Sequence, residues 1–508
     1  MLKRMFVAPD PGRARLRFAA RAVLGIGLAV VVCYLAGHSL VGAVTGGLAA
    51  LLALFTVTDA SVRGQAVTTA LLPVVGLPVL AAAAELHTLP VVRDLVFLAV
   101  VGAGVYARRW GPRGHSLGVF AFMTFFMAQF VHATPAQLPE LYAAVVLSVL
   151  SAAAVRFGVW CYERRLPPAV IPSPTPGFVR AGKRPSPAGR PLARVTTRQA
   201  VQATAGAGFA LVVGELVSGQ RWYWAVGATW WIFVNTTSRG ETLVRGFRRV
   251  LGTVIGIGLG FLVALPLGGA PVPTALLIAV AVFGIFYTAA VSYTWMMLCV
   301  TLLAELLYGL FGVLSPGLLG LRLAETGVGA LGAALAVLLV LPVTTHAVTD
   351  AWIGRALRCV HACTAEAAAR LAGSTTADPA PRVAELEQLL GRVRLAVAPL
   401  VHPLNPMPAR KRRARRVLAL LDDCAREVRG LVAVAADPVA SHDARLAAAC
   451  WRVEAAVEAL TEGRPDALGS PAEPPAEPAL VHLHGLERAL ADLAEPLRAS
   501  AGSPLVGA

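Results

Sequence analysis

Long apolar runs separated by short polar breaks fill the first two-thirds of the chain. Many reach about 18 residues, the length at which a helix crosses a hydrocarbon core roughly 30 Å thick. Hydropathy predicts twelve membrane-spanning helices, six in each half. The first six are Arg21–Ala36, Val41–Thr58, Gln65–Ala84, Leu95–Tyr106, Leu117–Val131 and Leu141–Trp160. The last six are Gln199–Val217, Trp222–Thr236, Val250–Leu267, Pro273–Ala290, Tyr293–Phe311 and Thr326–Val343.

The two halves resemble each other. The stretch RAVLGIGLAVVVCYLAGHSLVGAVTGG parallels QAVQATAGAGFALVVGELVSGQRWYWAVGA, which follows at an offset of roughly 180 residues. In both, a span ends in a short polar break and a second span opens around Val-Gly-Ala. Because each copy holds an even number of spans, both copies have the same orientation, which is a parallel repeat about an axis along the membrane normal.

The composition changes at both ends of the second copy. A stretch rich in Pro, Ser and basic residues lies before it and predicts an extended linker. Amphipathic helix patterns rich in Ala, Leu, Arg and Glu follow it. The sequence therefore predicts an all-α, polytopic membrane protein with about twelve transmembrane helices in two six-helix repeats. The predicted segments are a first repeat (1–161), a Pro/Arg-rich cytoplasmic linker (162–197), a second repeat (198–345) and a cytoplasmic helical domain (346–508).

Charge is scarce, at 15% of residues against 56% hydrophobic, yet the formal net charge is +16. Such a balance can indicate nucleic-acid binding, but here the basic residues cluster between alternate pairs of spans, which is the positive-inside pattern. It predicts no nucleic-acid partner and an inner (plasma) membrane protein with both termini in the cytoplasm. The cytoplasmic set is Arg13, Arg15, Arg17, Arg108, Arg109, Arg113, Arg164, Arg165, Arg239, Arg245, Arg248 and Arg249. The opposite loops hold only Arg93, Arg221 and Arg322.

Neither a metal nor a cofactor is expected. The seven cysteines form no disulfide-like framework. Cys359 and Cys363 would share a helix face, but His361 between them would point elsewhere, and no second ligand cluster lies near. The chain has no Walker motif and no coherent nucleophile–base arrangement, so we predict that it is not an enzyme.

The stretch RRVLGTVIGIGLG (248–260) places a glycine at every fourth position, at Gly252, Gly256 and Gly260. A dinucleotide loop needs Gly-x-Gly-x-x-Gly after a strand and an acid some 20 residues later, and this stretch has neither. Fourfold spacing instead leaves bare backbone along one helix face, where a neighbouring helix packs closely in lipid.

The segment RWYWAVGATWWIFVNTTSRGETLVRGFRRVLGTVIGIGLG resembles the fusaric acid resistance protein-like (FUSC) family of membrane proteins. The family pattern is a Trp-containing span, a polar turn with Thr, and Arg-x-x-Gly-Thr-x-x-Gly, here Arg249, Gly252, Thr253 and Gly256. The resemblance covers residues 195–345 and extends loosely to 18–160. Because the family includes aromatic acid exporters, it implies a secondary transporter that exports aromatic or other carboxylic acids. A passive organic-anion channel gated by the cytoplasmic helices, or a membrane scaffold without transport, stays open.

Glu305 is the least expected carboxylate, since it lies well within the eleventh predicted span. A charge at the centre of a bilayer costs about 2.5–3.5 kcal/mol on insertion scales. A carboxyl group that alternates between charged and neutral forms could couple proton entry to anion exit. The alternative is a structural glutamate that hydrogen-bonds a neighbouring helix.

Five other residues are candidates for the substrate pathway. Arg249 lies at the predicted cytoplasmic mouth of the ninth span, where it could attract an anion or simply anchor the helix. Asn235 and Thr237 belong to the polar turn before it and could line the same entrance. Trp224 and Trp230 could stack on an aromatic ligand, although tryptophan at span ends is more often an interfacial anchor.

The densest basic run is ARKRRARR (409–416). On a cytoplasmic helix it could bind anionic lipid, with about 1 kcal/mol from each charge near the surface, or form a solvated face. A homo-oligomer is compatible with the sequence. The residues concerned are Arg410, Lys411, Arg412, Arg413, Arg415 and Arg416.

Overall fold

The structure is a computed structural model, and it shows an all-α chain with no strand among the residues it describes. Those residues are 13–163, 195–234, 236, 239–341, 345–372, 374, 376–401, 408–435, 444–461 and 478–502. The predicted Pro/Arg-rich linker lies almost wholly outside them. The chain divides into two compact units: 1–237 with 242–342, and 238–241 with 343–508.

Most of the first unit is helical. Its α-helices are α1 (Ala14–Leu35), α2 (Leu40–Thr56), α3 (Val62–Glu85), α4 (Pro90–Tyr106), α5 (Gly111–Phe130), α6 (Leu138–Glu163), α7 (Val195–Val217), α8 (Tyr223–Phe233), α9 (Arg239–Leu267), α10 (Pro271–Thr288), α11 (Tyr293–Leu310) and α12 (Pro316–Leu339). Within the described residues, nine helical segments are long and apolar enough to cross a membrane, one of them joining α4 to α5. The layout of twelve spans in two repeats stays a prediction.

The second helix of each half is short. Helix α2 has 17 residues and α8 has 11. A buried arginine satisfies the last carbonyls of each: Arg156 donates to Ala53 O (2.7 Å) and Val57 O (2.8 Å), and Arg108 donates to Phe233 O (3.2 Å). Free carbonyls at a helix end need such partners. In transporters, short helices at corresponding places in two halves often border the substrate site.

The start of the last helix of this unit was predicted wrongly. We expected a span at Thr326–Val343 with Arg322 in a loop, but α12 begins at Pro316 and Arg322 lies within it, 3% exposed. The two charges Arg322 and Glu325 led to the predicted start at Thr326, yet the whole helix Pro316–Leu339 is apolar enough to cross a membrane and both side chains are buried. The start signal is readable, because Ser315 caps Leu318 N (3.2 Å) and Pro316 occupies the first turn.

The glycine face of α9 contacts α11. A Cβ atom at Gly252 would lie 2.8 Å from Met297 Cβ, and one at Gly256 would lie 2.6 Å from Thr301 Cβ. One at Gly260 would overlap the Glu305 carboxylate. Since these contacts advance together along both helices, α9 and α11 run parallel with almost no side chain between them at these points.

The second unit contains α13 (Thr345–Leu371), α14 (Ala380–Val401), α15 (Pro408–Ala435), α16 (Ala444–Thr461) and α17 (Pro478–Gly502). Leu, Val, Ala and Cys side chains from all five helices form one core. Helices α15 and α17 meet at His482 and Glu427, whose Nδ1 and Oε2 atoms are 2.9 Å apart. The predicted amphipathic helices are thus present as a compact unit, and its cytoplasmic location stays a prediction.

Candidate functional site

A cavity of about 120 Å³ opens between the two halves of the first unit. Helices α2 and α5 line it from the first half, and α8 to α11 line it from the second. Its walls are almost entirely Leu, Phe, Met, Ile, Val and Ala, with Trp224 and Trp231. An engineered apolar cavity of about 150 Å³ holds benzene, so this space suits roughly one aromatic ring.

Arg249 is the only ionisable residue among the described residues that line this cavity. Its side chain is 5% exposed, and Nη1 donates to Met297 Sδ at 3.0 Å. Its Nε atom has no hydrogen-bond partner within the described part of the chain. A thioether is a weak acceptor, so the guanidinium retains donors for an anion. Arg249 therefore lies inside the unit rather than on its surface.

Glu305 lies on α11 beside Ala304, which lines the cavity. The residue is fully buried and occupies the space that Gly260 leaves on α9. Neither carboxylate oxygen has a hydrogen-bond partner among the described residues. A structural glutamate would hydrogen-bond a neighbouring helix, and the described residues show no such bond to Glu305. Arg249 and Gly260 are eleven positions apart on α9, about 16 Å along the helix axis. Arg249 and Glu305, which lies over Gly260, are therefore at different heights along this helix.

The two candidate tryptophans occupy different environments. Trp224 lines the cavity, and its Nε1 donates to Tyr308 Oη at 2.5 Å. Trp230 is buried outside the cavity lining and stacks on Phe122, with 4.3 Å between ring centroids. Trp224 is thus placed to contact a ligand in the cavity, whereas Trp230 is packed among buried aromatic side chains. Two other candidates, Asn235 and Thr237, lie outside the described residues.

Arg322 and Glu325 were missed as site residues. They are three positions apart on α12, and both are almost fully buried. Arg322 Cζ lies 3.8 Å from the centroid of the Trp224 ring. The available signal was LRLAETG, a basic and an acidic residue at helical spacing inside an otherwise apolar, glycine-containing stretch.

Aromatic rings join the halves around this region. Phe97 of α4 meets Trp222, just before α8, with 5.8 Å between ring centroids. Phe126 and Phe130 of α5 contact second-half rings, Phe126 meeting Trp224 at 4.9 Å and Phe130 meeting Tyr308 at 5.2 Å. Such offset and edge-to-face contacts each add about 0.5–1.5 kcal/mol beyond area burial. The cluster therefore fixes the position of Trp224 at the cavity wall.

The family assignment rests on the segment that carries this site. Residues 209–355 match the family model described as fusaric acid resistance protein-like. This segment is similar to the fusaric acid resistance protein-like (FUSC) family. No curated protein matches the chain. The matched residues include Trp224, Arg249, Glu305, Arg322 and Glu325. The FUSC match and the apolar helices described above indicate a multi-pass membrane transporter. The predicted resemblance is confirmed over the matched residues, and its loose extension to residues 18–160 stays a prediction.

The second unit offers a basic cleft at the start of α15, and no metal-binding cluster is found in its described part. Among the described residues, no group of three His, Cys, Asp or Glu side chains could hold a metal ion. His361 Nε2 lies 3.8 Å from Glu454 instead. Burial raises the pKa of the Cys424 thiol to about 12, which makes it a poor nucleophile.

The cleft involves the basic run at the start of α15. It has a volume of about 300 Å³ and is lined by Arg412, Arg413, Arg416, Glu495 and Pro496. Arg413 Nε donates to Pro496 O at 2.8 Å, and Arg416 lies 2.9 Å from Glu495. Arg412 is exposed. The side chain of Arg410 lies outside the description.

Proposed function

We propose that the protein is a secondary transporter that exports aromatic or other organic carboxylic acids across the inner (plasma) membrane. Its termini and linker face the cytoplasm in this proposal, as the arginine distribution favours. The observation that carries it is the apolar cavity between the halves with Arg249 as its only charged lining residue in the described part. A cavity at the interface of two structurally related halves is a common substrate site in secondary transporters.

The lining suits an amphiphilic anion. An aromatic ring packs against Leu, Phe, Met and Trp side chains, and a carboxylate accepts hydrogen bonds from a guanidinium in a planar, two-point arrangement. The apolar walls exclude water, which strengthens the pairing of Arg249 with an anion. A neutral ring compound would leave this buried cation without a partner, so the cavity favours acids.

The experiment that tests transport uses the full chain reconstituted in liposomes with labelled carboxylic acids, benzoate among them. A coupled carrier gives saturable flux that depends on an imposed pH gradient. A passive channel instead gives large currents that need no proton gradient. Absence of flux for every acid in the panel, from a correctly folded protein, would contradict the transporter proposal and favour a scaffold.

Replacing Arg249 with glutamine should raise the KM for benzoate about tenfold or more, because one charge-assisted contact is lost. The matched control is Arg248→Gln, which removes the same charge from the neighbouring, exposed position. Initial flux measured against benzoate concentration separates the two variants. Equal KM values in both variants would show that general attraction, not the cavity, explains the role of Arg249.

The basic cleft of the second unit is proposed to bind anionic lipid. Neutralising Arg412 and Arg416 by glutamine should reduce the phosphatidylglycerol retained by the full chain after detergent washing, by about fivefold for each charge. Arg426→Gln on the same helix is the control, since that arginine pairs locally with Asp423 at 2.6 Å. Retention that is the same in all three proteins would favour a solvated face.

A further inference from the structure

We propose that Arg322 is a second anion-binding residue of the transport pathway, reached past Trp224, and that Glu305 and Glu325 are its resting counter-ions. A substrate carboxylate takes the place of these counter-ions at Arg322. This inference rests on the proposed function and adds a site to it. The juxtaposition that carries it is a buried guanidinium on the Trp224 ring, which forms part of the cavity wall, and two buried carboxyl groups that interact electrostatically with this guanidinium.

The Arg322 guanidinium contacts aromatic rings rather than hydrogen-bond acceptors in the described part of the chain. Its Cζ lies 3.8 Å from the Trp224 centroid and 5.9 Å from the Tyr308 centroid. Cation–π contacts compensate the charge but leave the N–H groups unused. The Nε and Nη1 atoms have no hydrogen-bond partner among the described residues, although the side chain is 3% exposed. These unused donors lie in the guanidinium plane and can each donate to a carboxylate oxygen.

The two carboxylates balance this charge without occupying its donors. Glu325 follows Arg322 by three residues on α12, and Glu305 comes from α11; both interact electrostatically with Arg322. None of their carboxylate oxygens has a hydrogen-bond partner in the described part of the chain. A buried ion cluster with unused donors and acceptors is costly as a structural device. It is useful when a ligand completes the missing hydrogen bonds.

Other charged and titratable groups surround the cluster in an order that suits stepwise passage. Arg249 of α9 also acts on Arg322 and lines the cavity. Arg221 precedes α8 and contacts the second ring near Arg322, with its Cζ 4.9 Å from the Tyr308 centroid. Tyr223 has a buried hydroxyl with no hydrogen-bond partner in the described residues. Arg249, Arg322 and Arg221 thus offer an anion successive cations, and multiple weak sites permit both entry and release.

The test measures benzoate flux and binding by the full chain. Glu325→Gln removes a competitor for Arg322 and should lower the KM for benzoate several-fold. The double variant Arg322→Gln/Glu325→Gln removes a cation and an anion together, so the net buried charge does not change. It should raise the KM about tenfold or more, since the lost contact is charge-assisted. A merely structural Arg322 would leave the KM of the double variant at the wild-type value.

Equilibrium binding of labelled benzoate to the detergent-purified chain keeps the proposal testable if a variant does not transport. Wild-type affinity in the double variant would overturn it, whether measured by flux or by binding. Arg322→Lys keeps the charge but loses the planar donor pair, so it should retain folding with weakened binding. If the wild type binds benzoate through Arg322 but moves none across liposomes, the transporter proposal fails and the binding site stands.

Discussion

Glu305→Gln is expected to abolish benzoate transport driven by a pH gradient while the protein still inserts and folds. Glutamine has the shape of the glutamate side chain, so it fits the space over Gly260. It cannot exchange a proton, and a carrier that couples through this carboxyl group then loses its driving force. The substrate contacts of Arg249 remain, so benzoate exchange without a pH gradient should persist.

Two flux measurements on the same liposomes check this expectation. The first imposes a pH gradient, and the second follows exchange of labelled for unlabelled benzoate at equal pH. Glu215→Gln is the matched control, because Glu215 lies in the last turn of α7, 39% exposed and 3.5 Å from Arg93. The control should behave as the wild type in both. Normal pH-driven flux in Glu305→Gln would remove this residue from the coupling mechanism.

The existence of the helices could be predicted from hydropathy because lipid demands about 18 apolar residues regardless of the neighbours. Where a charge is buried by a partner on another helix, that logic fails. The sequence predicts a loop at Arg322, because nothing in it shows that the ring covering this charge belongs to Trp224, almost a hundred positions earlier in the chain. A sequence pattern records the charge and its neighbours along the helix, but not the ring that covers it.

The same reason explains Arg108. Positive-inside counting treats it as one of several loop charges, and it does lie between α4 and α5. The structure shows a buried side chain, 7% exposed, that donates to the end of α8. The counting rule uses the sign of a charge and its side of the membrane, and it carries no information on which backbone carbonyls need a donor.

The glycine stripe shows the converse case. Spacing alone identifies the bare face of α9, because residues four apart share a helix face. It cannot identify α11 as the neighbour, nor predict that a carboxylate occupies the space at Gly260. The sequence therefore located Glu305 and Gly260 separately, and only the fold brings them together.

Gly256→Leu is expected to disrupt the pairing of α9 with α11, whereas Gly258→Leu should be tolerated. A Cβ atom at Gly256 would lie 2.6 Å from Thr301 Cβ, which forces the helices apart. Gly258 is two residues further along the same helix, is exposed, and has nothing within 4 Å of an added Cβ. The two variants thus place the same side chain on the same helix, once against α11 and once in an open position. Overpacking of this kind costs about 1–3 kcal/mol.

Separation of α9 from α11 would also alter the site, because Arg249 donates to Met297 on the opposing helix. Gly256→Leu should therefore lower both the thermal stability of the detergent-purified chain and its benzoate flux, while Gly258→Leu keeps both. Monodispersity after heating, followed by liposome flux of the surviving protein, measures the two effects. If the two variants lose the same stability, the effect comes from leucine within α9 itself. The prediction that Gly256 is needed for close packing on α11 would then be wrong.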